Sequence, residues 1–521
     1  MAVVTTYPGV YVQEIPSGVR AISGVATAIT AFMGRTRCGP VNEPVTINNF
    51  GDFERSFGGL WAAGPMTYAV RDYFLNGGGQ AIIVRLFKPG GTSKAQDGHA
   101  RLALDTLALI AASPGDWGNG ASVSVDTDGI NDEVAARYGL QVADLFNLSA
   151  SHKGAIERFA NLSFVEGPRR IDRVLALGSD LIRLDGSLPS TLPDLAKVME
   201  AVQAGGAALS GGSNGRGLTA TDYRGSQEAK TGLYALDKTD LFNLLCIPPD
   251  SRDGDTPDTV YQAALKYCVD RRALLIVDPP SAWSADPNKA AAAAKAGLSS
   301  LGLSGTDARN AALYFPRVVQ ADPLREGQLD TFAPCGIVAG VMARMDTQRG
   351  VWKAPAGLDA AISGTQGLSA NLTDAENGML NPIGINCLRF FPIAGRVVWG
   401  ARTLRGADQL GDEYKHISVR RLALFIEESL YRGTQWVVFE PNDESLWAQI
   451  RMNIGSFMQS LFRQGAFQGQ SPRDAYFVKC DAETTTQNDI NRGIVNIVVG
   501  FAPLKPAEFV IISLQQMAGQ A

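Results

Sequence analysis

Apolar positions in the last hundred or so residues fall into two rhythms. In SLWAQIRMNIGSFMQSLF, Leu446, Ile450, Ile454, Phe457 and Leu461 recur at steps of four, four, three and four. That spacing is one stripe of a 3.6-residue helix. HISVRRLALFIEESLYRG reads as an earlier helix, and TQWVVFEPN between the two as a strand. GIVNIVVGFAPLKPAEFVIISLQQ adds two β-branched stretches. Tyr414 to Leu514 therefore reads helix, strand, helix, strand, strand. The last strand, AEFVIISLQQ, must pair with something, and if it is not paired at home it is a strand offered to a neighbour.

The rest of the chain changes texture twice. Residues 1–20 form a short arm in which Pro8, Gly9, Pro16 and Gly18 bracket the strand VYVQEI. A buried strand over Ala28–Gly34 follows, then NFGDFERSFGG, a helix in MTYAVRDYFLNGG and a strand over Ala81–Phe87. From Gly90 to about Lys238, Gly, Ser, Asp and Asn become dense and short strands alternate with turns, the pattern of an inserted, mainly β domain with long loops. ASPGDWGNGASVSV near its start reads as a turn feeding a strand. From Leu241 the rhythm is strand, helix, strand: LFNLLCIPP, VYQAALKYCVDR, ALLIVDPP, NAALYFPRVVQADP, CGIVAGVMARMDTQRG and the strand pair INCLRFFPIAGRVVWGART. Continuous apolar strands between helices indicate a parallel sheet covered on both faces.

Length and composition narrow the function. The 521 residues carry 45% hydrophobic and 19% charged positions and a net charge of −5; length alone suggests about three domains. No basic tail or stripe points to nucleic acid. No run of about 18 apolar residues predicts a membrane span, and MAVVTTYPGVYVQEIP lacks the features of a secretory signal, so folding in a cytoplasm is expected. The six cysteines are widely spaced without a CxxC pair, which fits buried free thiols, with inter-subunit disulfides as the alternative.

Catalytic and ligand chemistry finds little to stand on. The three histidines, His99, His152 and His416, lack metal-ligand spacing. No phosphate-binding GxxxxGK[ST], dinucleotide GxGxxG or GxSxG elbow occurs in its required context. Asp278 in VDPP sits where an α/β enzyme places a carboxylate; a strand-terminating Asp before Pro-Pro is the plainer reading. No catalytic residue, cofactor or metal is expected.

Several long stretches resemble the contractile tail sheath proteins of phages, R-type bacteriocins and extracellular injection systems. PGVYVQEIPSG and ISGVATAITAFMGRTRCGPVNEPVTINNFGDFERSFGG look like that family's N-terminal signature, and SPGDWGNG like the start of its variable insertion. GVWKAPAG, LNPIGINCLRFFPIAGRVVWGARTL and ISVRRLALFIEESLYRGTQWVVFEPND follow in the family's order. The likeness covers most of residues 1–95 and 240–521.

The resemblance implies a multi-domain chain: an α/β middle domain, subtilisin-like but non-catalytic, an α+β terminal domain and an inserted mainly-β domain. Its segments are an N-terminal arm at 1–20, the sheath core's N-terminal part at 21–95, an outer insertion at 96–238, the subtilisin-like domain at 239–400, a tube-proximal α+β domain at 401–505 and a C-terminal arm at 506–521. D-[ST]-G, H-G-T and G-T-S-M-A are absent from the sequence, so fold does not carry protease function. Subunits would form a homo-oligomer of hexameric rings stacked into a helical sheath around an inner tail tube protein. Baseplate and tail terminator proteins would be further partners, with no nucleic acid and no direct membrane insertion. The place implied is the tail of a virion or phage-derived particle, assembled in the bacterial host cytoplasm. Strand exchange between subunits would use Val10, Tyr11, Val12, Gln13, Glu14 and Ile15 with Phe509, Val510, Ile511, Ile512, Ser513 and Leu514. Tube contact would use the two terminal helices, through Arg420, Arg421, Arg451, Gln459 and Arg463. The alternatives are an α/β hydrolase-like enzyme with an inserted β domain, or an adhesin built on that insertion.

Overall fold

The computed structural model describes residues 21–189, 191–205 and 208–513. The chain divides into two compact units. The larger comprises Ala28–Arg344 and Pro355–Asp412; the smaller gathers, among described residues, 21–27, Met345–Ala354 and 413–513.

An eight-stranded sheet organises the larger unit, in the order Gly395–Val398, Ile385–Phe391, Ala311–Phe315, Leu274–Val277, Leu244–Cys246, Thr30–Gly34, Ala81–Arg85, Val45–Ile47. The six inner strands are parallel, and the two edge strands antiparallel. Every residue of Thr30–Gly34, Ala81–Arg85, Leu244–Cys246, Leu274–Val277 and Ala311–Phe315 is buried. That is why these stretches read as unbroken apolar runs: a parallel sheet is covered on both faces. NAALYFPRVVQADP differs from the single strand expected. Pro316, which has no N–H to give a ladder, separates Ala311–Phe315 from Val318–Asp322, and the second piece pairs with Gln328–Phe332 and Gly367–Leu368 in another sheet. NFGDFERSFGG holds a helix, Phe50–Phe57, whose N-terminus Asn49 caps by accepting from the Asp52 amide at 2.8 Å.

Within the same unit, the inserted region builds two three-stranded sheets with the helices Asp132–Tyr138, Ile171–Gly178 and Leu195–Gly205. It has its own apolar core, including Leu109, Val123, Phe146, Leu148 and Leu162. Arg85, at the end of a sheet strand and 2% exposed, ties this region in. Its guanidinium donates to the carbonyls of Thr36 (3.3 Å), Gly39 (2.6 Å) and Pro114 (2.5 Å). Burial lowers its pKa to about 10.

The smaller unit is built on the helices Ile417–Gly433 and Glu444–Arg463 and a ribbon of Tyr476–Lys479 with Val498–Phe501. Leu446, Ile450, Ile454, Phe457 and Leu461 are all buried in its core, as their spacing predicts. Each such side chain contributes about 1.5–3 kcal/mol of burial. Asp443 starts this helix by accepting from the Leu446 amide at 2.9 Å. TQWVVFEPN is not the strand expected: Gln435–Val437 is one 3-10 turn and 438–440 is exposed. β-branched residues favour a strand only where a neighbouring strand receives them, and this connection between two helices has none. Instead Trp436 and Val437 tuck against the core.

Candidate assembly site

The ribbon of Tyr476–Lys479 with Val498–Phe501 lies against the terminal core. Tyr476, Val478, Val499 and Phe501 pack inward on the terminal core, and Tyr476 Oη donates to Gln459 Oε1 at 2.8 Å. Phe477 and Val498 face outward, 50% and 44% exposed. Phe477 pairs with Gly500, where a Cβ would lie 2.1 Å from the Phe477 ring, so glycine lets the aromatic cover the ladder. The two strands pair only with each other, which leaves an open edge on either side among the described residues. A ribbon this short is marginal alone, and its open edges are templates for further strands. Sequence reading missed Tyr476–Lys479 as a strand, although AYFVKC carries the aromatic and β-branched signal.

Beyond the ribbon the ladder ends. Ala502 donates to the Ala475 carbonyl at 2.8 Å and Pro503 bridges Phe467. No ladder follows over 504–513. Phe509, Val510, Ile511 and Ile512 are 73%, 81%, 90% and 78% exposed, and Ser513 is exposed as well. Four consecutive apolar side chains in solvent mark an interaction segment. Before them, Glu508 lies 3.8 Å from Lys415 Nζ and 3.6 Å from His416 Nδ1. The other predicted exchange residues, Val10 to Ile15 and Leu514, lie outside the described residues.

The five residues expected at the tube separate sharply. Arg421 is 4% exposed, and its guanidinium meets Asp346 Oδ1 at 2.9 Å and Oδ2 at 2.6 Å. Arg420 pairs with Glu427 at 3.2 Å and lies over the Tyr414 ring. Arg451 pairs with Glu444 at 2.7 Å and donates to the Cys480 carbonyl. Gln459 holds Tyr476. Arg463 is exposed and forms no ion pair among the described residues; it ends the exposed stripe Ser445, Ala448, Met452, Ser456, Ser460, Arg463 on the 444–463 helix.

The larger unit gives Asp278 a structural setting. Asp278 is 4% exposed, and its Oδ1 accepts from the Cys335 amide at 2.9 Å, at the first residue of the helix Cys335–Arg349. Burial raises its pKa to about 6, against the pull of the Cys335 contact and the Arg317 charge. It acts as the acceptor for a helix start. His99 Nδ1 contacts the Ala111 carbonyl at 2.9 Å and His152 stacks edge-on with Trp117. All six cysteines are free, and Cys38 alone is partly exposed.

Comparison with known proteins gives this arrangement a family. Residues 219–404 match the phage tail sheath protein central domain, and residues 410–516 match the phage tail sheath C-terminal domain. Among solved structures, the chain is similar to the sheath of an extracellular contractile injection system, PVC, in its contracted state. The identity is 22% over 99% of this chain and 99% of that chain, with a TM-score of 0.57. It is also similar to the contracted helical sheath of the anti-feeding prophage, at 23% identity over 98% and 100% of the two chains, with a TM-score of 0.55. A sheath tail protein of Listeria innocua matches at 13% identity over 93% and 97% of the chains, with a TM-score of 0.58. A search of curated proteins finds no match. The structural likenesses speak for the fold; with the two domain matches, which together take in more than half of the residues, the chain belongs to the phage tail sheath family.

Proposed function

We propose that this chain is the structural subunit of a contractile tail sheath, stacked as hexameric rings around an inner tube, and that its contraction drives the tube through a target envelope. One observation carries the reading: among the described residues a single chain holds a two-stranded ribbon open on both edges and an exposed apolar segment at 509–512. In this reading, residues 10–15 of one neighbour and 509–514 of another each add a strand to the ribbon of a third subunit. A strand of four residues forms about four backbone hydrogen bonds, each contributing about 0.5–1.5 kcal/mol net. The linkage is therefore worth about 2–6 kcal/mol per strand before side chains are counted.

The mesh keeps rings joined while the rest of each subunit turns as a rigid body. The extended state is a kinetic trap released into a wider, better-packed lattice, so no nucleotide drives it. The larger unit serves as a subtilisin-like framework without catalysis. Partners are further copies of the chain, the tube protein, and baseplate and terminator proteins, in the tail of a virion or phage-derived particle assembled in the host cytoplasm. The tube contact narrows to the exposed stripe around Arg463, with Gln459 beside it, because Arg421 is engaged inside its own subunit.

Deleting residues 1–20 tests the reading. The truncated chain should remain folded and soluble yet form no sheath by negative-stain microscopy; normal striated cylinders would rule strand exchange out.

A further inference from the structure

Residues 21–27 carry no helix or ladder of their own, yet they are held along their length by one stripe of the 417–433 helix. Arg421, Phe425, Ser429 and Gly433 follow at steps of four, which places them on one face. Arg421 donates to the Thr27 carbonyl at 2.9 Å, while Thr27 Oγ1 donates to Asp346 at 2.6 Å. Val25 donates its amide to Ser429 Oγ at 3.2 Å. A Cβ on Gly24 would lie 2.8 Å from the Phe425 ring, and a Cβ on Gly433 would lie 2.6 Å from Ile22 Cγ2. Ile22, Val25 and Thr27 are partly buried, while Ala21, Ser23, Gly24 and Ala26 are exposed.

The lengths agree. Five extended residue steps from Ile22 to Thr27 span about 17 Å. Twelve helical steps from Arg421 to Gly433 span about 18 Å. The segment therefore runs antiparallel along the helix, with Ile22 at the helix's C-terminal end. The other arm roots at the opposite end, where Glu508 meets Lys415 and His416. About 17 helical steps separate the two roots, or about 26 Å.

We propose that residues 22–27 are a rail clamped to the 417–433 helix, and that this helix is a strut fixing the separation of the two exchanged arms within each subunit. The strut's role rests on the strand-exchange reading; the rail does not. A pull on one arm reaches the other through one helix, with Arg421, Ser429 and Gly433 as positioning residues.

Hydrogen exchange on the soluble full-length chain tests the rail. The Val25 amide should exchange about a hundred-fold more slowly than an unstructured amide. Ser429→Ala should abolish that protection while the 417–433 helix stays protected. Exchange of residues 22–27 at unstructured rates in the unaltered chain overturns the rail. Sheath formation tests the strut. Gly433→Ala, which drives a methyl into Ile22, should give folded monomers and few sheaths, and Ile22→Ala with Gly433→Ala should recover them. If Gly433→Ala frees residues 22–27 in exchange but sheaths form normally, the strut is wrong and the rail stands. If the 1–20 deletion still forms sheaths, strand exchange is wrong whatever the rail does.

Discussion

Arg421→Met separates the internal role of this arginine from a role at the tube. The guanidinium makes a two-pronged pair with Asp346 and a third bond to the Thr27 carbonyl, and the two side chains are 3% and 5% exposed. Removing one partner of a buried pair leaves an uncompensated charge and costs about 3–5 kcal/mol. Asp346 keeps the Thr27 hydroxyl as a donor, so the lower end, about 3 kcal/mol, is expected. Replacing both, as Arg421→Met with Asp346→Leu, should recover most of the loss, since apolar substitutes for buried pairs are often neutral. The chain has two compact units, so a single global unfolding energy is not defined. Hydrogen exchange of peptides from the 417–433 and 444–463 helices reads the smaller unit by itself. A loss below about 1 kcal/mol would show a pair of the solvated, surface kind and rule out a buried internal role. If Arg421 served the tube instead, Arg421→Met would leave the soluble chain unchanged and loosen only assembled sheath.

Three further outcomes are expected. Asp278 has its folded pKa raised from 3.8 to about 6, so the folded state holds its proton more tightly; that contribution is full below about pH 4 and is lost as pH rises through about 6, on the order of 3 kcal/mol. Asp278→Asn, which can still accept from Cys335, should flatten this part of the larger unit's stability profile, read by hydrogen exchange of peptides from the 274–277 strand between pH 4.5 and 8, and raise stability at the upper end. Arg463→Glu should leave the soluble chain as stable as before and weaken retention of sheath on tube in pull-down at low salt, whereas Arg420→Glu should act mainly by breaking the Glu427 pair. Arg85→Met leaves the Thr36, Gly39 and Pro114 carbonyls without their donor at about 1–3 kcal/mol for each left unsatisfied, and should raise proteolysis near Pro114 before the parallel sheet is cut.

Much of the larger unit is legible in the chain because burial leaves a plain mark. ALLIVDPP and NAALYFP are apolar at nearly every position because helices cover both sheet faces. The stripe from Leu446 to Leu461 is equally direct. Elsewhere local chemistry misleads. TQWVVFEPN has strand composition, yet no strand lies beside it. Arg421 and Arg463 look alike as letters, but Arg421 finds Thr27, 394 positions away, and no short-range pattern reveals such a contact. The steps of four that join Arg421 to Gly433 are visible in the sequence; what they hold is not. AEFVIISLQQ reads as a strand, yet no ladder forms over 504–513 and residues 509–512 are exposed, while the ribbon escapes notice because Tyr476–Lys479 is only four residues long.

Strand exchange is tested most directly by a cryo-electron microscopy map of sheath assembled from the full-length chain, examined at the 476–479 and 498–501 ribbon. A four-stranded sheet is expected there, with one added strand traced to residues 10–15 of one neighbour and the other to residues 509–514 of a second. A ribbon that remains two-stranded in the assembled sheath, or both added strands coming from its own chain, would contradict it.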